Sequence, residues 1–146
     1  MTWTGNLGEG TSSHRSFSRD HTVDHPDAGT ILASSDPAFR GDPSRWNPEQ
    51  LLVASLAQCH MLWYLHLAAQ SGLVVVAYED APTGTMVENK DGSGHFSEVT
   101  LHPTVTIAEG NDADLAKALH GQIGGYCFIA RSVNFPVLHR PTITIR

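Results

Sequence analysis

Between Arg45 and Gln70 the chain reads RWNPEQLLVASLAQCHMLWYLHLAAQ, and apolar residues cover nearly every side of the helix that this stretch predicts. Leu51, Leu52, Val53, Leu56, Ala57, Met61, Leu62, Trp63, Leu65, Leu67 and Ala68 leave no broad polar face, the mark of a buried helix. Asn47 suits the N-cap, Pro48 the first helical position, and Glu49 the positive end of the helix dipole. Gly72 supplies the stop. From Glu49 to Gln70, at 1.5 Å per residue, the helix would span roughly 30 Å.

The flanking segments alternate as strands do. MTWT, RSFS and HTVD predict a small N-terminal meander. From Asp24 to Pro48 the chain carries Pro26, Pro37, Pro43 and Pro48 with Gly29 and Gly41, which predicts little regular structure and a long loop of functional character. After the helix, LVVVAYE, TGTMVE and FSEVTLHPTVTIA read as antiparallel strands, with Pro103 marking an edge or a bulge. Asn111 or Asp112 caps a second helix through DADLAKALHGQI, with Leu115, Leu119 and Ile123 on one face and Gly124-Gly125 ending it. CFIARSVNF then offers a further helical turn or two, and TITIR a final strand. Segregated helices and strands make the class α+β, in one domain over residues 1–146. A few strands from one chain can cover one side of so apolar a helix but hardly both, so a second copy is the expected cover and an obligate homodimer the expected assembly.

Composition narrows the function. The 146-residue chain has a formal net charge of −6 and no run of Lys or Arg, which argues against nucleic acid as a partner. Glu49, Gln50, Gln58, His60 and His66 interrupt the apolar helix, which argues against a membrane span. MTWTGNLGEG lacks the pattern of a signal peptide, so a cytoplasmic location is expected. Nine histidines invite a metal, but His60 and His66 do not share a helical face and no CxxC or HExxH is present, so no metal or cofactor is expected.

Two cysteines in a reducing compartment are free thiols or a reversible redox pair rather than a structural disulfide. Cys59 stands in the middle of the apolar helix, where a cysteine is ordinarily a small hydrophobe. A free thiol ionises near pH 8.5, so only about 3% is thiolate at neutral pH, and burial lowers that fraction. A working thiol at Cys59 therefore needs a cation. The helix dipole fades within its first turn and cannot supply one ten residues in. Arg15, Arg19, Arg40, Arg45 and Arg131 are the candidates, and Arg40 and Arg45 lie in the loop that leads to Glu49.

NPEQLLVASLAQCH resembles the signature of the OsmC/Ohr family of thiol-dependent peroxidases, closer to its OsmC branch. In that family Asn-Pro-Glu opens the central helix and a cysteine ten residues after the Glu reacts with peroxide. The matching positions are Glu49 and Cys59. The family's second cysteine lies about seventy residues on, just after a helix, and matches Cys127. The resemblance implies an OsmC-like fold, with antiparallel β-sheets around a long buried central helix in an intertwined homodimer. It also implies an arginine, held by Glu49, that lies against the reactive sulfur. Arg40 is the expected residue, with Arg45 and Arg15 as alternatives. YCFIARSVNF departs from the family's pattern in having no proline after Cys127.

The activity so implied is reduction of an organic hydroperoxide to an alcohol. Cys59 would become a sulfenic acid, Cys127 would condense with it to a disulfide, and a small dithiol or thioredoxin-like protein would reopen that bond. Lowering a thiol's pKa by about three units raises its thiolate fraction about 30-fold, but nucleophilicity falls by about 15- to 30-fold if the slope for thiol exchange applies. The arginine must then act mainly on charge developing at the departing oxygen. Glu49 lies about 15 Å along a straight helix from Cys59 and cannot touch its sulfur. The alternative is a dimeric binding protein for an apolar small molecule, built on the same scaffold and keeping both cysteines as packing residues.

Overall fold

The computed structural model describes residues 1–146, which divide into two compact units, Met1–Leu52 and Val53–Arg146. In the first, β1 (Thr2–Trp3), β2 (His21–His25) and β3 (Gly29–Ala33) form an antiparallel sheet in that order. Gly29, at φ 83°, closes the tight β2–β3 hairpin in the left-handed region that glycine tolerates best. RSFS is not a strand: Phe17 makes only an isolated bridge to Asn6, and its ring is occupied by the edge of Trp3, 5.8 Å between centroids, and by the Arg19 guanidinium at 4.2 Å. The stretch expected to be irregular from Asp24 also proves partly regular, since β3 lies inside it.

The remainder of that loop is held by side chains. Asp36 caps a 3-10 turn over Pro37–Phe39 by accepting from the Ala38 N–H at 2.9 Å. Its other oxygen accepts from Asn47 Nδ2 at 3.0 Å. Fully buried Ser34 donates to Asp20 at 3.0 Å and accepts from the Asp42 N–H at 3.1 Å. These bonds satisfy backbone and side-chain groups that no ladder serves. Arg40 ends the 3-10 turn at φ 67°, a conformation uncommon outside glycine.

Helix α1 runs Pro48–Gln70. Its start is a reciprocal cap: Asn47 Oδ1 accepts from the Gln50 N–H at 2.7 Å, and Gln50 Oε1 accepts from the Asn47 N–H at 3.1 Å. Gly72, at φ 72°, ends it. Only Leu56, His60, Tyr64 and Ala68 are buried, a single stripe at four-residue spacing. The apolar residues around that stripe are partly or well exposed within one chain, Leu62 by 61%.

In the second unit β4 (Val75–Asp80), β7 (Pro103–Ile107) and β9 (Thr142–Ile145) form one sheet, and β5 (Thr83–Glu88), β6 (Gly94–Leu101) and β8 (Val137–His139) another. The FSEVTLHPTVTIA stretch is thus two strands broken at His102, whose N–H donates to Asp80 at 2.7 Å. The antiparallel expectation fails at two pairings, because β6–β8 and β7–β9 are parallel. Parallel neighbours need a crossover, and here it contains α2 (Ala113–Leu119) and the 3-10 segment His120–Gly125. Asp112, not Asn111, caps α2 through the Asp114 and Leu115 N–H groups at 2.9 and 3.1 Å. Strand β8 follows Pro136 and was not expected from the sequence.

The larger core joins Tyr64, Ala68 and Leu73 to Val105 and Ile107 of β7 and to Ala116, Leu119, Ile123 and Cys127 beyond. A smaller one joins Leu56 to Val99 and Leu101 of β6. Cys59 packs on the first and Ala57 on the second. The midpoint of α1 therefore sits where two sheets and the crossover converge.

Candidate active site

Cys59 is carried on α1, partly exposed, and Cys127 follows the 3-10 segment, 2% exposed. A helical turn fixes Cys127: its N–H donates to Ile123 O at 3.0 Å and its carbonyl accepts from the Arg131 N–H at 3.1 Å. Its Sγ accepts from the Ala130 N–H at 3.3 Å. Both thiols are reduced, and their side chains are hydrogen-bonded to one another across a sequence separation of 68 residues. Burial pushes the Cys127 thiol pKa up, and the bond to Cys59 adds to the rise, because low polarity penalises the thiolate and the thiol form makes the bond.

Glu49, Arg40, Arg45 and Arg15 lie in the first unit. One carboxylate oxygen of Glu49, Oε2, is buried with no hydrogen-bond partner. A bare carboxylate oxygen in that setting calls for a cationic donor. Arg45 already faces two carboxylates, Asp42 at 3.5 Å and Asp20 at 3.7 Å, and Arg19 is tied to Phe17 O at 2.7 Å and His14 O at 2.9 Å. Arg40 and Arg15 are exposed, with no side-chain ion pair.

A group that the sequence did not single out stands beside the thiol pair. His60 Nε2 and His120 Nδ1 share a hydrogen bond of 2.8 Å, His120 stacks on Tyr64 with centroids 4.2 Å apart, and His139 of β8 lies 5.6 Å from His60 and 6.0 Å from His120. Tyr64 in turn donates to Ala116 O at 3.1 Å. Burial drives the His60 pKa down to about 4 and that of His120 to about 3, with neighbouring histidines lowering both further. Both rings are therefore neutral at pH 7 and hold one proton between them in their mutual bond. His120 Nε2 is buried without a partner, and an orphaned lone pair is less unusual there than an orphaned N–H. The tautomer so assigned has His120 donating to His60. The available clue was phase, since His120 falls among Ala116, Leu119 and Ile123 on the buried side of α2.

His60, His139 and Cys127 share the wall of a cavity of about 100 Å³, otherwise apolar with Leu56, Ile123 and Val137. No group of three His, Cys, Asp or Glu side chains is arranged to hold a metal ion.

The site is thus a pair of free thiols on an α+β scaffold, one inside the central helix and the other in the crossover. The OsmC-like protein family matches residues 41–140, and the chain belongs to it. A search among curated proteins found no match. An OsmC-like protein of unknown function from Vibrio cholerae O1 biovar eltor is similar in structure, with a TM-score of 0.84 at 28% identity over 97% of this chain and 95% of that one. An organic hydroperoxide resistance protein from Elizabethkingia anophelis gives 0.67 at 15% identity over 88% and 90% of the two chains. An organic hydroperoxide resistance protein OsmC from Legionella pneumophila gives 0.60 at 16% identity over 86% and 96%. The last two show the fold.

Proposed function

We propose that the protein is a cysteine-based peroxidase that reduces organic hydroperoxides to alcohols. The observation that carries this reading is the hydrogen-bonded Cys59–Cys127 pair, because two thiols at that separation in sequence have no packing reason to be paired in a core that hydrophobic side chains could fill. Cys59 is the more accessible of the two and attacks the distal peroxide oxygen. The O–O bond breaks, alcohol leaves after protonation, and Cys59 carries a sulfenic acid. Cys127, already in contact, displaces hydroxide from that sulfur and closes the disulfide. An external dithiol or thioredoxin-like protein returns both thiols.

Arg40 supplies the cation in this reading. It is preferred to Arg45, whose charge is met by Asp20 and Asp42. Glu49 is paired with no arginine in this structure, and in this reading its unpartnered oxygen is the acceptor that the arginine takes. The uncovered apolar faces of α1 support a homodimer, since burying them stabilises by about 25 cal/mol per Å².

The test mixes reduced protein with stoichiometric cumene hydroperoxide and follows thiols and intact mass. Wild type should lose two thiols and two hydrogens. Cys127→Ser should accumulate a trappable sulfenate, and Cys59→Ser should not react. Survival of both wild-type thiols would exclude the peroxidase and leave the small-molecule binding protein.

A further inference from the structure

The closing step has a proton problem. Cys127 must lose its proton to attack the sulfenic sulfur, yet it is buried and its contact with Cys59 favours the thiol. Something must take that proton, and the choice is narrow. Along the chain Cys127 is followed by Phe128, Ile129 and Ala130. The cavity that Cys127 lines has only two other ionisable groups in its wall, His60 and His139.

These two differ in one decisive respect. His60 is 6% exposed and bonded to His120, so a cation there would be sealed in the core. His139 is exposed to solvent at the end of β8, where a positive charge stays hydrated, and it lines the same cavity from the opposite element. A cavity of about 100 Å³ has room for water, and proton transfer through one water is within reach of a general base. The parallel pairing that aligns Leu101 with His139 fixes this placement.

We propose that His139 is the proton acceptor for Cys127 in disulfide closure, acting through a water in the cavity between them. This rests on the peroxidase reading for its biological step but not for its chemistry. The proton of Cys127–SH passes to His139. The Cys127 thiolate attacks Cys59 Sγ, the S–S bond forms, and the S–O bond of the sulfenic acid breaks. Hydroxide leaves and is protonated by the histidinium by way of solvent. The sum is sulfenic acid plus thiol giving disulfide plus water. In formal oxidation state the Cys59 sulfur goes from 0 to −1 and the Cys127 sulfur from −2 to −1, with the thiolate lone pair becoming the S–S bond. The titratable groups facing His139 are His60 from α1, His120 from the crossover and Cys127. Arg140 and His102 follow it and Leu101 along the paired strands.

The experiment avoids dependence on peroxide. Reduced protein is mixed with one equivalent of the aromatic disulfide DTNB in stopped flow. The partly exposed Cys59 displaces the first thionitrobenzoate, and Cys127 then displaces the second as it closes the disulfide. In His139→Gln the first phase should keep its rate and the second should slow by about 100-fold, at the low end of a positioned base's contribution. Added imidazole should restore part of it. An unchanged second phase in the variant, or a slowed one that imidazole does not restore, overturns the assignment. If cumene hydroperoxide fails to oxidise Cys59 while the second phase still depends on His139, the peroxidase reading fails and the proton acceptor stands.

Discussion

Acid should destabilise this protein well above the range where carboxylates titrate, and the His60–His120 pair sets the amount. In the unfolded chain each imidazole ionises near pH 6.5, whereas burial holds the folded values at about 4 for His60 and about 3 for His120. Folded values that are depressed contribute stability above pH 6.5, which is lost as pH falls toward them, because the unfolded chain binds protons that the native one refuses. At pH 5 the two rings together remove about 4 kcal/mol relative to pH 7.5, since each ring loses about 1.4 kcal/mol for every pH unit below its unfolded value. Water reaching His60 at the cavity would halve that ring's share, so the expected range is about 3 to 4 kcal/mol. With a urea dependence of about 1 to 3 kcal/mol per molar, the midpoint should fall by about 1 to 4 M. Asp24, Asp42 and Asp91, held below the ordinary carboxylate value by side-chain hydrogen bonds, lose their contributions only at lower pH. Asp80, raised by burial, opposes the trend weakly. The assay is urea unfolding at fixed protein concentration from pH 7.5 to 5.0, for wild type and the double variant His60→Gln, His120→Gln. A wild-type midpoint that does not move, or a double variant that moves equally, would refute the argument.

Asn47→Ala removes the oxygen that caps α1 and the bond to Asp36, and should lower stability by about 1 to 2 kcal/mol in thermal or urea unfolding. Tyr64→Phe deletes a buried donor to Ala116 O while keeping the ring stacked on His120, and should destabilise by about 1 kcal/mol with no change in the rate of peroxide-dependent thiol loss. Arg40→Lys should lower kcat/KM for cumene hydroperoxide by about 10-fold or more, since lysine lacks the planar fork, while leaving the unfolding midpoint within error. Arg45→Lys should do the reverse, a small loss of stability with activity retained.

The chain announced α1 more clearly than any other feature. Asn47, Pro48 and Glu49 encode the start and Gly72 the stop in local chemistry, so neighbours in sequence suffice to find them, whereas the stripe of Leu56, His60, Tyr64 and Ala68 that one chain buries did not stand out from the apolar residues around it. Thr83–Glu88 and Thr142–Ile145 were legible for the same reason, as alternation within a few residues. The separation of Cys59 and Cys127, with the Asn-Pro-Glu opening, also pointed to the right family. Strand pairing was not available from such signals. Val137–His139 is three residues after a proline, too short to carry a pattern, and its parallel place beside Val99–Leu101 depends on the α2 crossover returning the chain to that edge. The histidine cluster was hidden for a related reason. His60, His120 and His139 come from a helix, a 3-10 segment and a strand, and each alone reads as an ordinary polar residue. Only the convergence of those elements puts the rings within 6.0 Å of one another and two of them on the cavity of Cys127. Local sequence thus determined the central helix, the longer strands and the thiols. Long-range packing decided which thiol is buried, which histidines stay neutral, and which one faces water.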